Sequence, residues 1–226
     1  GKRRATGWAR SIVNRLVSTG EEGQTQETDY CGRWLCQAAE AGYVSAQEVG
    51  GIPRTVHEAP APEDEKEAAR WYKMAAEQGN ADAQFNLGLM HAKGEGVEQD
   101  FAEAARWCKL AAEQGHAAAQ FALGELHAKG LGVEQDFAEA TRWWKMAAEQ
   151  GDAGAQNNLG HLYENGHGVE QDYAEAARWF KLAAEQGLAL AQSNLGAMYY
   201  RGEGVEQDFA EAARWYKLAA EQGLAE

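Results

Sequence analysis

The chain has 226 residues, of which 45% are hydrophobic and 25% are charged, and its net charge at pH 7 is −14. The first 20 residues contain five basic residues and no acidic one, so the rest of the chain carries a charge of −19. Because phosphate binding requires clustered Lys and Arg, this acidic body argues against nucleic acid as the main partner and favours protein partners. The sequence has no run of about 18 apolar residues, so it predicts no membrane span.

The N-terminal part divides into two predicted segments. Residues 1–28 form a basic amphipathic segment and linker, in which Trp8, Ile12 and Leu16 recur at helical spacing. Residues 29–79 contain a degenerate form of the repeat described next, since residues 33–51 match residues 70–88 at several positions. Cys31 and Cys36 lie near a predicted helix start, and their spacing leaves a disulfide between them open.

Residues 80–223 repeat themselves with a fixed period of 36 residues. The four full units are 80–115, 116–151, 152–187 and 188–223, and the phrase GVEQD occurs in each. A fixed period in this range is typical of a solenoid, in which neighbouring units bury one continuous core. Residues 224–226 begin a truncated unit, from which we expect that the natural chain continues or that a partner or a neighbouring chain covers this end.

Each unit is predicted to contain two helices joined by a glycine-containing loop. In the first unit, the spacing of the apolar residues predicts a first helix from Ala81 to Lys93. Asp100 and Glu103 suggest a capping box at the start of the second helix, and Gly115 is expected to end that helix in the left-handed conformation. Gly88 lies inside the first helix, where glycine costs about 1 kcal/mol relative to alanine. Its recurrence in every unit therefore predicts a close approach between helices.

The unit AxAQxxLGxxxxxGxGVEQDxAEAxRWxKxAAEQG resembles the Sel1-like repeat, a relative of the tetratricopeptide repeat. The resemblance implies an all-α fold, a right-handed α/α superhelical solenoid of stacked antiparallel helix pairs. It also implies a concave groove lined by the first helix of each repeat, and a role as an adaptor or scaffold.

Differences between the four units indicate where a ligand would bind. The units are identical at 22 of 36 positions, and ten of the 14 variable positions lie within the first 16. The first helix is therefore diversified on a nearly constant scaffold, with an apolar start and a more polar end. The predicted ligand-binding groove consists of Asp82, Phe85, Asn86, Leu89, Lys93, Phe121, Glu125, Lys129, Asn157, Asn158, His161, Asn165, Asn194, Tyr200 and Arg201.

Three asparagines occupy one repeated position in this groove, Asn86, Asn158 and Asn194, and the second repeat (116–151) has Ala122 there. A side-chain amide offers both a donor and an acceptor, which suits a peptide backbone or a terminal carboxylate. Relaxed variation on a solvated face, or capping of nearby backbone, is the alternative explanation.

The sequence predicts no catalytic residue, metal site or cofactor. It contains no GxSxG, P-loop or Rossmann glycine pattern, and the acidic pair Glu98 and Asp100 recurs in every loop, as helix capping requires. His91 and His127 stand where later units have tyrosine, so we expect them to pack between helices. Cys108 stands at an aromatic packing position and is expected to be a buried, inert thiol.

These observations favour a protein that binds a peptide or helical segment of another protein in its groove. A module for glycans or cell-wall fragments is an alternative, and an enzyme whose polar cluster the repeats disguise is a third. Self-association through the chain ends or the groove is also open. The sequence does not specify a compartment, and a soluble protein of the bacterial cytoplasm or periplasm fits it.

Overall fold

A computed structural model of the chain describes residues 65–223. The predicted helix in residues 1–20, the linker, the degenerate repeat upstream of Glu65 and the Cys31–Cys36 question all lie outside these residues. Within residues 65–223 every regular element is an α-helix. In chain order the helices are α1 (Glu65–Ala76), α2 (Ala81–Lys93), α3 (Phe101–Glu113), α4 (Ala117–Lys129), α5 (Phe137–Glu149), α6 (Ala153–Asn165), α7 (Tyr173–Glu185), α8 (Ala189–Arg201) and α9 (Phe209–Glu221).

The described residues alternate between the two predicted helix types. The first helices of the repeats are α2, α4, α6 and α8, and the second helices are α3, α5, α7 and α9. The chain contacts divide into two compact units, with the boundary after Ala111. We refer to residues 65–111 as unit 1 and to residues 112–223 as unit 2, and from here on each 36-residue segment is called a repeat.

The loop between the helices of a repeat holds both helix ends in place. In the third repeat, Gly166 ends α6 in the left-handed conformation with φ of 68°. Gln171 then donates from Nε2 to the carbonyl of Glu164 at 2.7 Å, which caps the last turn of α6. The same bond recurs after every other described first helix, from Gln99, Gln135 and Gln207. The constant glutamine of GVEQD is therefore a C-terminal cap.

The start of each second helix corrects part of the capping prediction. Asp100 accepts from the backbone N–H groups of Ala102 and Glu103 at 2.8 and 3.1 Å, so its role as N-cap is confirmed. A capping box would also require the Glu103 carboxylate to accept from the backbone N–H of Asp100. This part of the prediction is wrong, because the carboxylate pairs with Arg106 at 2.9 Å. The backbone N–H of Asp100 donates to the carbonyl of His91 instead, at 2.9 Å. The first helix thus supplies the acceptor that a capping box would have supplied.

The glycine within each first helix allows an aromatic ring to pack directly on the backbone. A Cβ added to Gly124 or Gly160 would lie 2.5 Å from the ring of Trp144 or Phe180, respectively. The predicted close approach of the two helices is confirmed, and its cause is the side chain that the second helix places over the glycine. In the first repeat Cys108 takes this place.

Buried glutamines connect three successive helices within unit 2. Gln156 is only 5% exposed, and its Nε2 donates to the carbonyl of Ala148 at the end of α5, at 3.1 Å. Its Oε1 accepts from Gln186 at the end of α7, at 2.7 Å. Because a buried amide without partners is costly, this arrangement fixes the repeat geometry. Equivalent pairs are Gln120 with Gln150 and Gln192 with Gln222.

Candidate functional site

The first helices of unit 2, α4, α6 and α8, begin exactly one repeat apart and therefore present equivalent positions side by side. Each begins after a residue with extended backbone and ends at a left-handed glycine: Gly130, Gly166 and Gly202. We define the first-helix face by the side chains of these helices that link one repeat to the next, together with Lys129, which pairs with Glu125. The linking side chains are Glu125, Asn157, Asn158, His161, Glu164, Asn194 and Arg201.

The contact between α4 and α6 centres on a largely buried carboxylate. The side chain of Glu125 is 13% exposed, and its Oε2 pairs with Lys129 of the same helix. Its Oε1 accepts from Nδ2 of Asn158 at 2.9 Å. Both carboxylate oxygens are therefore engaged, and the charge of Glu125 is compensated locally by Lys129.

The contact between α6 and α8 centres on one amide group. Nδ2 of Asn194 donates to Oδ1 of Asn157 at 2.9 Å and lies 3.1 Å from Nε2 of His161. An amide nitrogen can only donate, so in this arrangement Nε2 of His161 is the acceptor, which requires a neutral imidazole with its proton on Nδ1. Nδ1 then donates to Oε2 of Glu164 at 3.3 Å. Both hydrogens of the Asn194 amide are thus assigned to α6.

A basic residue completes this cluster. Nη1 of Arg201 lies 3.6 Å from Oε1 of Glu164 and 3.2 Å from Oε2 of Glu203. The hydrogen bond with Glu203 is the main cause that raises the pKa of Arg201 above its ordinary value, so the guanidinium stays charged. Glu164 therefore lies between His161 on its own helix and Arg201 on the next.

The structure brings seven of the predicted groove residues into these two contacts. The first is formed by Glu125, Lys129 and Asn158, and the second by Asn157, His161, Asn194 and, through Glu164, Arg201. The predicted groove left out Glu164, although it stands at a variable position of the first helix that the other full repeats fill with alanine or tyrosine. A charged residue at a position that is uncharged in the other repeats was the signal that could have included it.

Three other predicted residues of unit 2 have different surroundings. Asn165 donates to the carbonyl of His161 at 2.8 Å and so caps its own helix. Tyr200 is 58% exposed and packs edge-on against Phe209, with ring centroids 5.4 Å apart. Phe121 is half-buried, and its carbonyl accepts from Nε1 of Trp144 at 3.1 Å.

The predicted residues of unit 1 differ in exposure. Phe85 and Leu89 are only 5% and 8% exposed, so they leave little apolar surface open to a ligand. Asp82 is exposed, and Asn86 and Lys93 are half-buried. The binding proposal below is therefore built on unit 2 alone.

The residues considered for other chemistry are Cys108, which is buried, and His91 and His127, which are half-buried. Cys108 is 2% exposed, and burial raises the pKa of its thiol to about 12. Nδ1 of His91 and of His127 is buried, with no hydrogen-bond partner recorded within the described residues. Residues 65–223 contain no group of three or more His, Cys, Asp or Glu side chains placed to hold a metal ion. None of the helices described is both long and apolar enough to cross a membrane.

These features define a class, an all-α solenoid built from helix-pair repeats. The Sel1 repeat model matches residues 18–43, 58–80, 81–116, 117–152, 153–188 and 189–224. The chain belongs to the Sel1 repeat family. Proteins of this family generally mediate protein–protein interactions and are generally not enzymes.

Two solved structures are similar to this chain. A Sel1 repeat protein from Oxalobacter formigenes is 35% identical with a TM-score of 0.70, over 84% of this chain and 74% of that one. A protective antigen of uropathogenic Escherichia coli with an SLR fold is 37% identical with a TM-score of 0.73. That match covers 98% of this chain but only 48% of the antigen, so this chain spans about half of that protein. Comparison with curated proteins gave no match.

Proposed function

We propose that unit 2 binds an extended peptide segment of a partner protein across its first-helix face. The observation that carries this proposal is the orientation of two asparagine amides one repeat apart. Asn158 and Asn194 each use Nδ2 to hold the neighbouring first helix. No hydrogen bond is recorded for Oδ1 of either residue within residues 65–223, and both side chains are half-buried.

This arrangement presents a row of fixed acceptors. Because the two nitrogens are anchored, each Oδ1 points to a defined direction without a further loss of side-chain entropy on binding. Packed helices lie about 10 Å apart, which an extended chain spans with about three residues. A peptide whose backbone N–H groups recur at that interval would satisfy both acceptors at once.

The packing of the tryptophans favours a peptide over a glycan. A glycan site would normally offer an exposed indole face, but Trp107, Trp143, Trp179 and Trp215 are 5%, 3%, 6% and 7% exposed. The amide groups of the first-helix face, by contrast, suit peptide groups directly.

The proposal is tested by selecting 12-residue peptides from a random library on the full chain at pH 7.5. The affinity of a selected peptide is then measured by calorimetry for the wild type and for Asn158→Ala combined with Asn194→Ala. We expect the double variant to bind about tenfold or more weakly, because each lost hydrogen bond contributes about 0.5–1.5 kcal/mol.

A matched control is Lys181→Ala combined with Lys217→Ala. These side chains lie on second helices and are 56% and 77% exposed, so the affinity should remain unchanged. Circular dichroism checks that both double variants keep the helical content of the wild type. Unchanged binding by a folded Asn158→Ala, Asn194→Ala variant, or the selection of no peptide, would refute the proposal.

A further inference from the structure

The orientation of the Asn194 side-chain amide depends on whether the imidazole of His161 is protonated. In the neutral state Nε2 of His161 accepts from Nδ2 of Asn194, and Asn157 takes the other hydrogen. Asn194 therefore has only its Oδ1 left for a ligand. This state requires the lone pair on Nε2, because a protonated imidazole donates from both nitrogens.

We infer that the proton on His161 selects which hydrogen-bonding group Asn194 presents to a ligand, an acceptor when His161 is neutral and a donor when it is charged. This inference rests on the proposed binding face and adds its regulation. Protonation would set Nε2–H of His161 against an N–H of Asn194, which is repulsive. Rotation of the Asn194 amide by half a turn removes the conflict, because Oδ1 then accepts from His161.

The switch also involves Asn157, which is 6% exposed. If the Asn157 amide turns with that of Asn194, its Nδ2 donates to the reoriented Oδ1 of Asn194 and the bond between the two helices is kept. Nδ2 of Asn194 then faces the ligand. A segment that donates N–H groups to the neutral form would be replaced by one that offers a carbonyl or a carboxylate.

His161 has charged neighbours on its own helix and on the next first helix. Oε2 of Glu164 lies 3.3 Å from Nδ1 of His161, and Nη1 of Arg201 lies 3.6 Å from Oε1 of the same carboxylate. Arg201 also pairs with Glu203. The ring of Phe180 on α7 packs edge-on at 5.0 Å and carries no charge. The remaining charged or titratable groups on the adjacent helix α4 are Glu125, which pairs with Lys129, and His127.

His161 is accessible to solvent protons, since its side chain is 45% exposed. A histidine side chain ordinarily changes charge between about pH 5 and 8, so a buffer series across that range compares the two states. Binding of an N–H-donating peptide should be stronger at the upper end of the series than at its lower end.

The first experiment uses NMR on the full, ligand-free chain. The ¹⁵N shifts of the His161 ring should report the Nδ1–H tautomer at pH 8. The side-chain amide signals of Asn194 should move with the same midpoint as the His161 ring. They should become independent of pH in His161→Gln, whose side-chain oxygen can accept from Asn194 but does not titrate. An Nε2–H tautomer, or an Asn194 amide that ignores the titration of His161, overturns the inference.

A matched control is His167→Gln. His167 lies in the loop after α6 and stacks on Phe137 at 5.2 Å, away from the Asn194 contact. This variant should leave the titration of the Asn194 amide as it is in the wild type. Loss of the titration in His167→Gln would overturn the assignment to His161.

The second experiment uses a peptide that was selected at pH 7.5. Its affinity is measured at pH 7.5 and at pH 5.5. Wild-type protein should bind about tenfold more weakly at pH 5.5, and His161→Gln should change by less than about twofold. An equal loss in both proteins overturns the inference but leaves the binding face intact. If no peptide is selected, the proposed function and the ligand-selecting role fail together, and the coupling of His161 to Asn194 is still decided by NMR.

Discussion

The indole of Trp144 lies directly on the backbone of Gly124, so that a Cβ on this glycine would be 2.5 Å from the ring. The ring is held there by its own hydrogen bond, since Nε1 of Trp144 donates to the carbonyl of Phe121 at 3.1 Å. Trp144 is 5% exposed and has little room to move. The pair therefore sets the distance between α4 and α5.

Gly124→Ala should destabilise the protein by about 1–2 kcal/mol. Overpacking costs about 1–3 kcal/mol, and the better helix propensity of alanine offsets up to about 1 kcal/mol of that. Gly196→Ala is the matched control, because its Cβ would lie 3.2 Å from Tyr216, whose side chain is 40% exposed and can shift. We expect a change within about 0.5 kcal/mol there. Chemical unfolding of both variants checks this, and equal losses would contradict the packing argument.

Gln156→Ala should cost about 2 kcal/mol, because it removes two buried hydrogen bonds and leaves a small void. Gln186→Ala should cost less, about 1 kcal/mol, since Gln186 is exposed and only its bond to Gln156 is lost. A double-mutant cycle should give a coupling energy of about 1 kcal/mol. Additive effects of the two substitutions would show that the glutamine bond does not stabilise the repeat.

Asp172→Ala should weaken the start of α7 by about 1 kcal/mol, because Oδ1 of Asp172 caps two backbone N–H groups at 2.9 and 3.0 Å. Glu175→Ala should cost only about 0.2–0.5 kcal/mol, the contribution of its ion pair with Arg178. Amide hydrogen exchange in the first turn of α7 measures both effects locally. Comparable losses in the two variants would indicate that Glu175 also caps the start of α7, as in the reciprocal capping box that the structure contradicts.

Cys108 should be unreactive toward iodoacetamide in the folded protein at pH 8, because burial raises the pKa of its thiol to about 12 and the thiolate is the nucleophile. Peptide mapping by mass spectrometry distinguishes Cys108 from the other cysteines. Labelling should become fast only in denaturant. Rapid labelling of Cys108 without denaturant would show that the thiol is accessible.

The same shift predicts a pH dependence of stability. The folded state holds the Cys108 proton more tightly than the unfolded state does, so this contribution is complete below about pH 9 and is lost as the pH rises toward 12. The loss should approach about 1.4 kcal/mol per pH unit in that window. Unfolding curves of the wild type and Cys108→Ala should therefore converge above pH 9, and parallel curves would contradict the assignment.

Much of the fold could be predicted from the sequence, because local signals and the repeat agree. The 36-residue period placed the helix pairs, the first helix was predicted to its observed limits of Ala81 and Lys93, and the constant glycines indicated close packing. The role of the GVEQD glutamine was missed, since a bond from Gln171 to a carbonyl seven residues earlier has no signature in helical periodicity.

The candidate site was only partly predictable. Variation between repeats identified Asn158, His161 and Asn194 as diversified residues on one helix face, and this follows from sequence comparison alone. The hydrogen-bond partners of these side chains lie in neighbouring repeats, 33 to 37 residues away in the chain. Periodicity places residues on a face, but a hydrogen bond across that face depends on distances that only helix packing sets, and so only the tertiary structure showed that Nδ2 of Asn194 contacts Asn157 and His161.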